Sequence, residues 1–188
     1  MNIFTLTRRG FVRAAAVTAL ILGTGGNAMA LDPENTLYLD LPYGRVVIEM
    51  RPDLAPNHVA RIKELVREGF YDGIVFHRVI EGFMAQTGDP TGTGRGGSGR
   101  NLDAEFSNEP HVRGIVSMAR AQNPNSADSQ FFIVFADARF LDGQYTVWGQ
   151  VVEGMEFVDM IKKGDPNANG VVSDPDAIVK MSVAADVD

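Results

Sequence analysis

Apolar and polar positions alternate along Thr36-Leu-Tyr-Leu-Asp-Leu41 and again along Arg45-Val-Val-Ile-Glu-Met50, the spacing of strands with one buried face. Pro42-Tyr43-Gly44 between them is a hairpin signal. The period then changes. Across Pro56–Glu68 the apolar residues Val59, Ile62, Leu65 and Val66 share one helical face, Pro56 sits in the first turn and Gly69 supplies a stop. Apolar runs follow at Ile74–Ile80, Phe83–Gly88, Ile115–Ala119, Gln130–Phe135, Thr146–Val152 and Ile178–Ala184. A second helix is expected over Met155–Lys163, with Met155, Val158, Met160 and Ile161 buried and Gly164 as its stop. Eight strand candidates and two widely separated helices lack the strict alternation of a parallel doubly wound sheet. The pattern predicts a mainly β fold: a closed eight-stranded antiparallel barrel capped by two helices, closure removing the exposed edges. Asp165–Asp176 is expected to be a polar connector and Gly88–Arg100 a long Gly-rich loop.

The first thirty residues fit none of this. They contain no acidic residue, carry Arg8, Arg9 and Arg13 ahead of the apolar run Ala14–Leu22, and end in Ala28-Met29-Ala30. That is the layout of a cleavable export signal, cut after Ala30. Thr7-Arg8-Arg9-Gly10-Phe11 also resembles the bacterial twin-arginine motif, although an ordinary Sec signal with a chance arginine pair has the same layout. The expectation is an export signal over 1–30 and one domain over 31–188, placed in the periplasm. Cleavage takes the chain from 188 to 158 residues and its net charge from −7 to −10. An acidic chain is poorly suited to a phosphate backbone, so nucleic acid is not an expected partner. The sequence has no Cys, which excludes disulfides, thiolate zinc sites and a cysteine nucleophile.

Two motifs are discounted. Gly92-Thr-Gly94-Arg-Gly-Gly97 matches G-x-G-x-x-G, but no helix pattern follows it, so a flexible surface loop is expected in place of a dinucleotide site. His58, His77 and His111 are scattered, without the spacing of a metal site. No cofactor or metal is expected. More informative is Val75-Phe-His-Arg-Val-Ile80, where alternation places Phe76, Arg78 and Ile80 on one face and Val75, His77 and Val79 on the other. Phe83, Met84 and Gln86 return beside them after the Glu81-Gly82 turn, and Phe132, Leu141 and Tyr145 could complete an apolar patch around the arginine. The residue types alone leave two readings open, a binding patch or a core from which Arg78 snorkels to solvent.

These residues resemble the signature of the cyclophilins, a family of peptidyl-prolyl cis-trans isomerases. Phe76-His-Arg-Val-Ile80, Gly82-Phe-Met84, Gln86 and Gly88-Asp89 match its first block; Ser117-Met-Ala119 and Ser129-Gln-Phe-Phe-Ile133 match the second; Leu141-Asp-Gly143 and Trp148-Gly-Gln-Val151 match the third. The resemblance implies that Arg78 is the catalytic donor to the prolyl nitrogen and that Gln86 holds the adjoining backbone. It further implies a proline pocket of Phe83, Met84, Phe132 and Leu141, with Ala119 and Gln130 lining the groove for the preceding residues and Phe140 and Tyr145 beside the pocket. No covalent step and no cofactor are implied. Substrates would be proline-containing unfolded or extended polypeptides, met after passage through the export machinery, and a monomer is expected. The chain departs from many eukaryotic members at three points: Phe140 stands where they have Trp, Tyr145 where they have His, and Arg120 where Asn is common. Loss of the Trp implies weak cyclosporin inhibition. A binding module without catalysis and a ligand-carrying barrel are the alternatives. Retention of Arg78 and Gln86 argues against the first, and strands rich in large apolar residues argue for a filled interior against the second.

Overall fold

A computed structural model describes Met1 and residues 30–187; the expected export signal lies outside the described residues, apart from its two end residues. The chain forms β1 (Thr36–Leu41), β2 (Gly44–Met50), α1 (Pro56–Arg67), β3 (Arg78–Ile80), β4 (Met84–Thr87), β5 (Ile115–Met118), β6 (Phe131–Val134), β7 (Val147–Glu153), α2 (Met155–Asp159) and β8 (Lys180–Val183). All eight strands join one antiparallel sheet in the order β3-β4-β6-β5-β7-β2-β1-β8. Among the described residues no helix is long and apolar enough to cross a membrane.

The sheet is open and curled into a half-barrel, which corrects the expectation of a closed one. Its edge strands β3 and β8 share no ladder. Irregular segments lace the seam instead: Val75 bridges Ala177, Gly73 N–H donates to Ile178 O at 2.8 Å, and Phe76 N–H donates to Asp176 O at 2.9 Å. The connector before β8 explains why no regular strand forms there. Asn169 and Asp174 have φ of 53° and 54°, and Pro175 has no N–H to give a ladder. The connector also covers the outer edge of β3. Val79 N–H donates to Gly170 O, and Gly164 N–H donates to Val79 O, at 2.8 and 2.9 Å.

Trp148, Phe131 and Tyr71 form the centre of the core, with edge-on ring contacts at 5.4 and 5.6 Å. α1 buries Val59, Ile62, Leu65 and Val66 as its spacing predicts, with His58 and Arg61 added. Its N-terminus has no local side-chain cap; Glu105, far along the chain, accepts the Asn57 and His58 N–H groups at 3.1 Å and His58 Nδ1–H at 2.6 Å. α2 is shorter than expected and leaves Met160 exposed. Met160 and Ile161 tighten onto carbonyls three residues back, and the Lys163 ammonium takes the carbonyls of Asp159 and Ile161 that a longer helix would use. The Phe157 ring lies against Gly44, where a Cβ would stand 2.6 Å from ring carbons.

Candidate active site

The strands β3, β4, β6 and β5 carry one cross-strand rank on the outer face of the sheet. Arg78 pairs with Gln86, Gln86 with Phe132, and Phe132 with Ser117. One strand position away, Ala85, Ile133 and Val116 face the main core. These strands are therefore buried on both faces, because a second apolar cluster of Met84, Phe132, Val134, Leu141 and their neighbours packs on the outer side. Phe83, Ala119 and Tyr145 are half-buried against that cluster. Alternation does not extend back through Phe76 and His77. Phe76 lies in the main core and His77 lines the cavity beside Arg78, the reverse of the expected faces, since regular pairing starts only at Arg78.

A cavity of about 720 Å³ opens over this cluster. It is lined by Arg78, Phe83, Met84, Gln86, Ala119, Phe132, Phe140, Leu141 and Tyr145, nine of the ten residues singled out from the sequence. The tenth, Gln130, lines an adjoining depression of about 460 Å³ that shares Gln86 and Ala119 with the first. Phe132 meets Tyr145 edge-on at 5.8 Å and stacks on His111 at 6.4 Å. Phe140 is 67% exposed at the rim, 5.4 Å from the Phe83 ring.

Arg78 is held in a polar chain. Its Nη1–H donates to Gln86 Oε1 at 3.1 Å, while Nε–H and Nη2–H donate to Asn169 O and Oδ1, both at 3.0 Å. Gln86 Nε2–H then donates to Gln130 Oε1 at 2.9 Å, and Gln130 Nε2–H to Gly96 O at 2.8 Å. Three of the five guanidinium N–H donors are occupied, which leaves two without a partner among the described residues on a side chain that lines the cavity. Burial lowers the Arg78 pKa, and Tyr145 acts in the opposite direction; the guanidinium stays charged. His77 is buried, and neither of its ring nitrogens has a partner among the described residues; burial lowers its pKa against the pull of Asp89.

Wall residues that were not foreseen include Asn169, Val171, Thr93 and Arg95. Asn169 and Val171 come from the connector that seals β3, and Gly170 at φ 79° turns that segment toward Arg78. Thr93 and Arg95 come from the Gly-rich loop. The loop lies at the surface as expected, and it wraps around the buried Asp89 carboxylate, which accepts the N–H groups of Thr91, Thr93 and Arg95 at 2.7, 3.0 and 3.0 Å. Burial raises the Asp89 pKa, but the Thr91 N–H and its companions outweigh it and hold the carboxyl well below the usual carboxylate range. The three histidines lie apart, His58 on Glu105, His77 in the cavity wall, and His111 on Asp142 at 2.9 Å.

A cationic arginine with spare donors beside an apolar floor can hold a neutral ring and donate hydrogen bonds to an acceptor next to it. Comparison with known proteins bears on which chemistry this is. Residues 36–183 match the family model described as cyclophilin type peptidyl-prolyl cis-trans isomerase/CLD. A probable peptidyl-prolyl cis-trans isomerase of Brucella suis is 57% identical over 190 residues, spanning 95% of this chain and 97% of the relative. Peptidyl-prolyl cis-trans isomerase B of Bacillus subtilis is 44% identical over 123 residues, or 64% of this chain and 85% of the relative. The crystal structure of a Cryptosporidium parvum cyclophilin type isomerase in the presence of the dipeptide Ala-Pro superposes with a TM-score of 0.73 at 32% identity, covering 79% of this chain and 98% of that one. The match runs through every strand of the half-barrel and both walls of the cavity, and the chain belongs to the cyclophilin-type peptidyl-prolyl cis-trans isomerases.

Proposed function

We propose that the protein is exported through its N-terminal segment and isomerises X–Pro bonds of polypeptides folding outside the cytoplasm, with Arg78 as the catalytic group. The observation that carries the mechanism is the pair of unoccupied Arg78 N–H donors above the apolar floor. Rotation about an X–Pro bond breaks amide resonance over a barrier of roughly 18–20 kcal/mol. As conjugation is lost the prolyl nitrogen regains its lone pair and becomes a hydrogen-bond acceptor. A donor placed at that nitrogen binds the twisted amide better than either planar isomer, and that difference is catalysis. Met84, Phe132, Leu141 and Phe83 hold the proline ring, and Gln86, Ala119 and Gln130 hold the preceding backbone. No nucleophile or cofactor enters this scheme.

The test is cis/trans exchange of a short Ala-Pro peptide followed by NMR with the 31–188 protein. Accelerated exchange is expected, and its absence from a well-folded sample would reduce the chain to a proline-peptide binding module. Cyclosporin added to the same assay is expected to inhibit weakly, since the exposed Phe140 offers no indole N–H; nanomolar inhibition would contradict that. Export is supported by Arg8-Arg9, the short apolar run and Ala28-Met29-Ala30. Replacing Arg8→Lys and Arg9→Lys together should leave precursor in the cytoplasm if the twin-arginine route is used. Normal processing of that variant would point to Sec.

A further inference from the structure

The described chain holds ten arginines, and seven of them lie within 4 Å of a carboxylate: Arg45, Arg51, Arg61, Arg67, Arg100, Arg113 and Arg139. The three with no ion pair among the described residues, Arg78, Arg95 and Arg120, all line the same groove. In a chain of net charge −7 with carboxylates in excess, unpaired arginines gathered in one groove depart from the pattern of its other arginines. Arg78 is accounted for by the reaction. Arg95 and Arg120 are not, and both face the adjoining depression as well as the main cavity.

Arg120 is built into position. Its Nε–H donates to Gln144 O at 2.9 Å, its Nη1–H to Ala121 O at 2.9 Å, and its guanidinium stacks over the Tyr145 ring at 4.7 Å. Each of these acceptors is neutral, so the charge is oriented without being neutralised. Among the described residues the Arg95 side chain makes no hydrogen bond, while its backbone N–H donates to Asp89 Oδ2 and Thr93 Oγ1. The adjoining depression does hold one acid, Asp128. Its oxygens are taken by the N–H groups of Ser98 and Gly99 and by the Ser98 hydroxyl, not by either arginine. A substrate carboxylate entering there would meet two unpaired guanidiniums with planar, bidentate geometry.

We infer that Arg95 and Arg120 are specificity-determining residues that favour substrates with an acidic side chain on the N-terminal side of the proline. This rests on the isomerase reading of the groove. The ligand chemistry is an extended acidic peptide: a carboxylate one or two residues before proline lies over the depression beyond Gln86 and Ala119. Exposed charge pairs are individually weak and screened by salt, so the effect is a selectivity and not an absolute requirement.

The experiment uses three blocked peptides, Glu-Ala-Pro-Phe, Ala-Ala-Pro-Phe and Lys-Ala-Pro-Phe, with kcat/KM from NMR exchange and Kd from shift titration of the same samples. The expected order is Glu, then Ala, then Lys, with a Glu-to-Lys ratio of about tenfold at low salt that shrinks toward one at high salt. Arg95→Gln, which removes no side-chain hydrogen bond, should reduce the ratio by itself, and Arg95→Gln with Arg120→Gln should bring it near one. Equal rates and equal Kd for the three peptides in the wild type would overturn the inference, as would a ratio unchanged in the double variant. If the wild type binds in the expected order but catalyses none of them, the isomerase reading fails and the charge selectivity stands.

Discussion

Arg78→Ala is expected to lower kcat/KM on an Ala-Pro peptide at least tenfold while shifting the thermal midpoint by no more than about 4 °C. The two halves have separate causes. In the proposed mechanism Arg78 gives the transition state a charged donor to a nitrogen that accepts nothing in either ground state, so its loss falls on the rate. Hydrogen bonds from charged groups contribute about 1.5–3 kcal/mol, which is roughly ten- to a hundredfold in rate. In the folded protein Arg78 is only half-buried, and its acceptors, Gln86 Oε1 and the Asn169 oxygens, border the open cavity where water can replace it. A cost below ~1 kcal/mol moves the midpoint of a domain this size by about 2–4 °C. Arg78→Lys should recover little, because one ammonium cannot keep both Asn169 and Gln86 and also reach the substrate. A variant as active as wild type would remove Arg78 from the mechanism, and a collapse in midpoint would assign it to structure.

How far the sequence exposed this site depended on the range of the contacts involved. The β1–β2 hairpin and α1 follow from local pattern and turn chemistry, and the structure has them within about a residue at each end. The rank from Gln86 to Phe132 follows from alternation inside two regular strands. What could not be read came from backbone that departs from regular pairing. Phe76 and His77 exchange faces because the strand begins four residues into its apolar run. The sheet stays open because positive φ angles and Pro175 interrupt the seam, and the same connector delivers Asn169 to Arg78 across 91 residues of sequence. Only Asn169-Gly170, a pair suited to left-handed turns, hinted at a bend there, and nothing marked its target. The Gly-rich loop looked like punctuation for the same reason. Its organiser is a single carboxylate at its start, whose burial a one-dimensional pattern does not display.

That carboxylate supports the second large effect. Asp89→Ala is expected to destabilise the protein by about 3 kcal/mol and lower its midpoint by roughly 10 °C, because the N–H groups of Thr91, Thr93 and Arg95 lose their acceptor at a site where Asp89 itself is 1% exposed. Those N–H groups come from the stretch that presents Gly92, Gly94 and Arg95 to the cavity. Activity should therefore fall with stability, and the Glu-to-Lys selectivity should fall with it even well below the midpoint. The pH dependence has a defined sign. The folded pKa of Asp89 lies below its ordinary value, so its contribution is complete above the unfolded value of about 4 and is lost as pH falls from there toward the folded value. Denaturant titrations of wild type and Asp89→Ala should show a constant gap between pH 5 and 8, roughly, that narrows below about pH 4. A gap that stays constant into strong acid would mean that the carboxylate form is not what holds the loop. A variant with wild-type stability would mean that the loop is held by its other contacts, and the arginine it carries would then have to be positioned without Asp89.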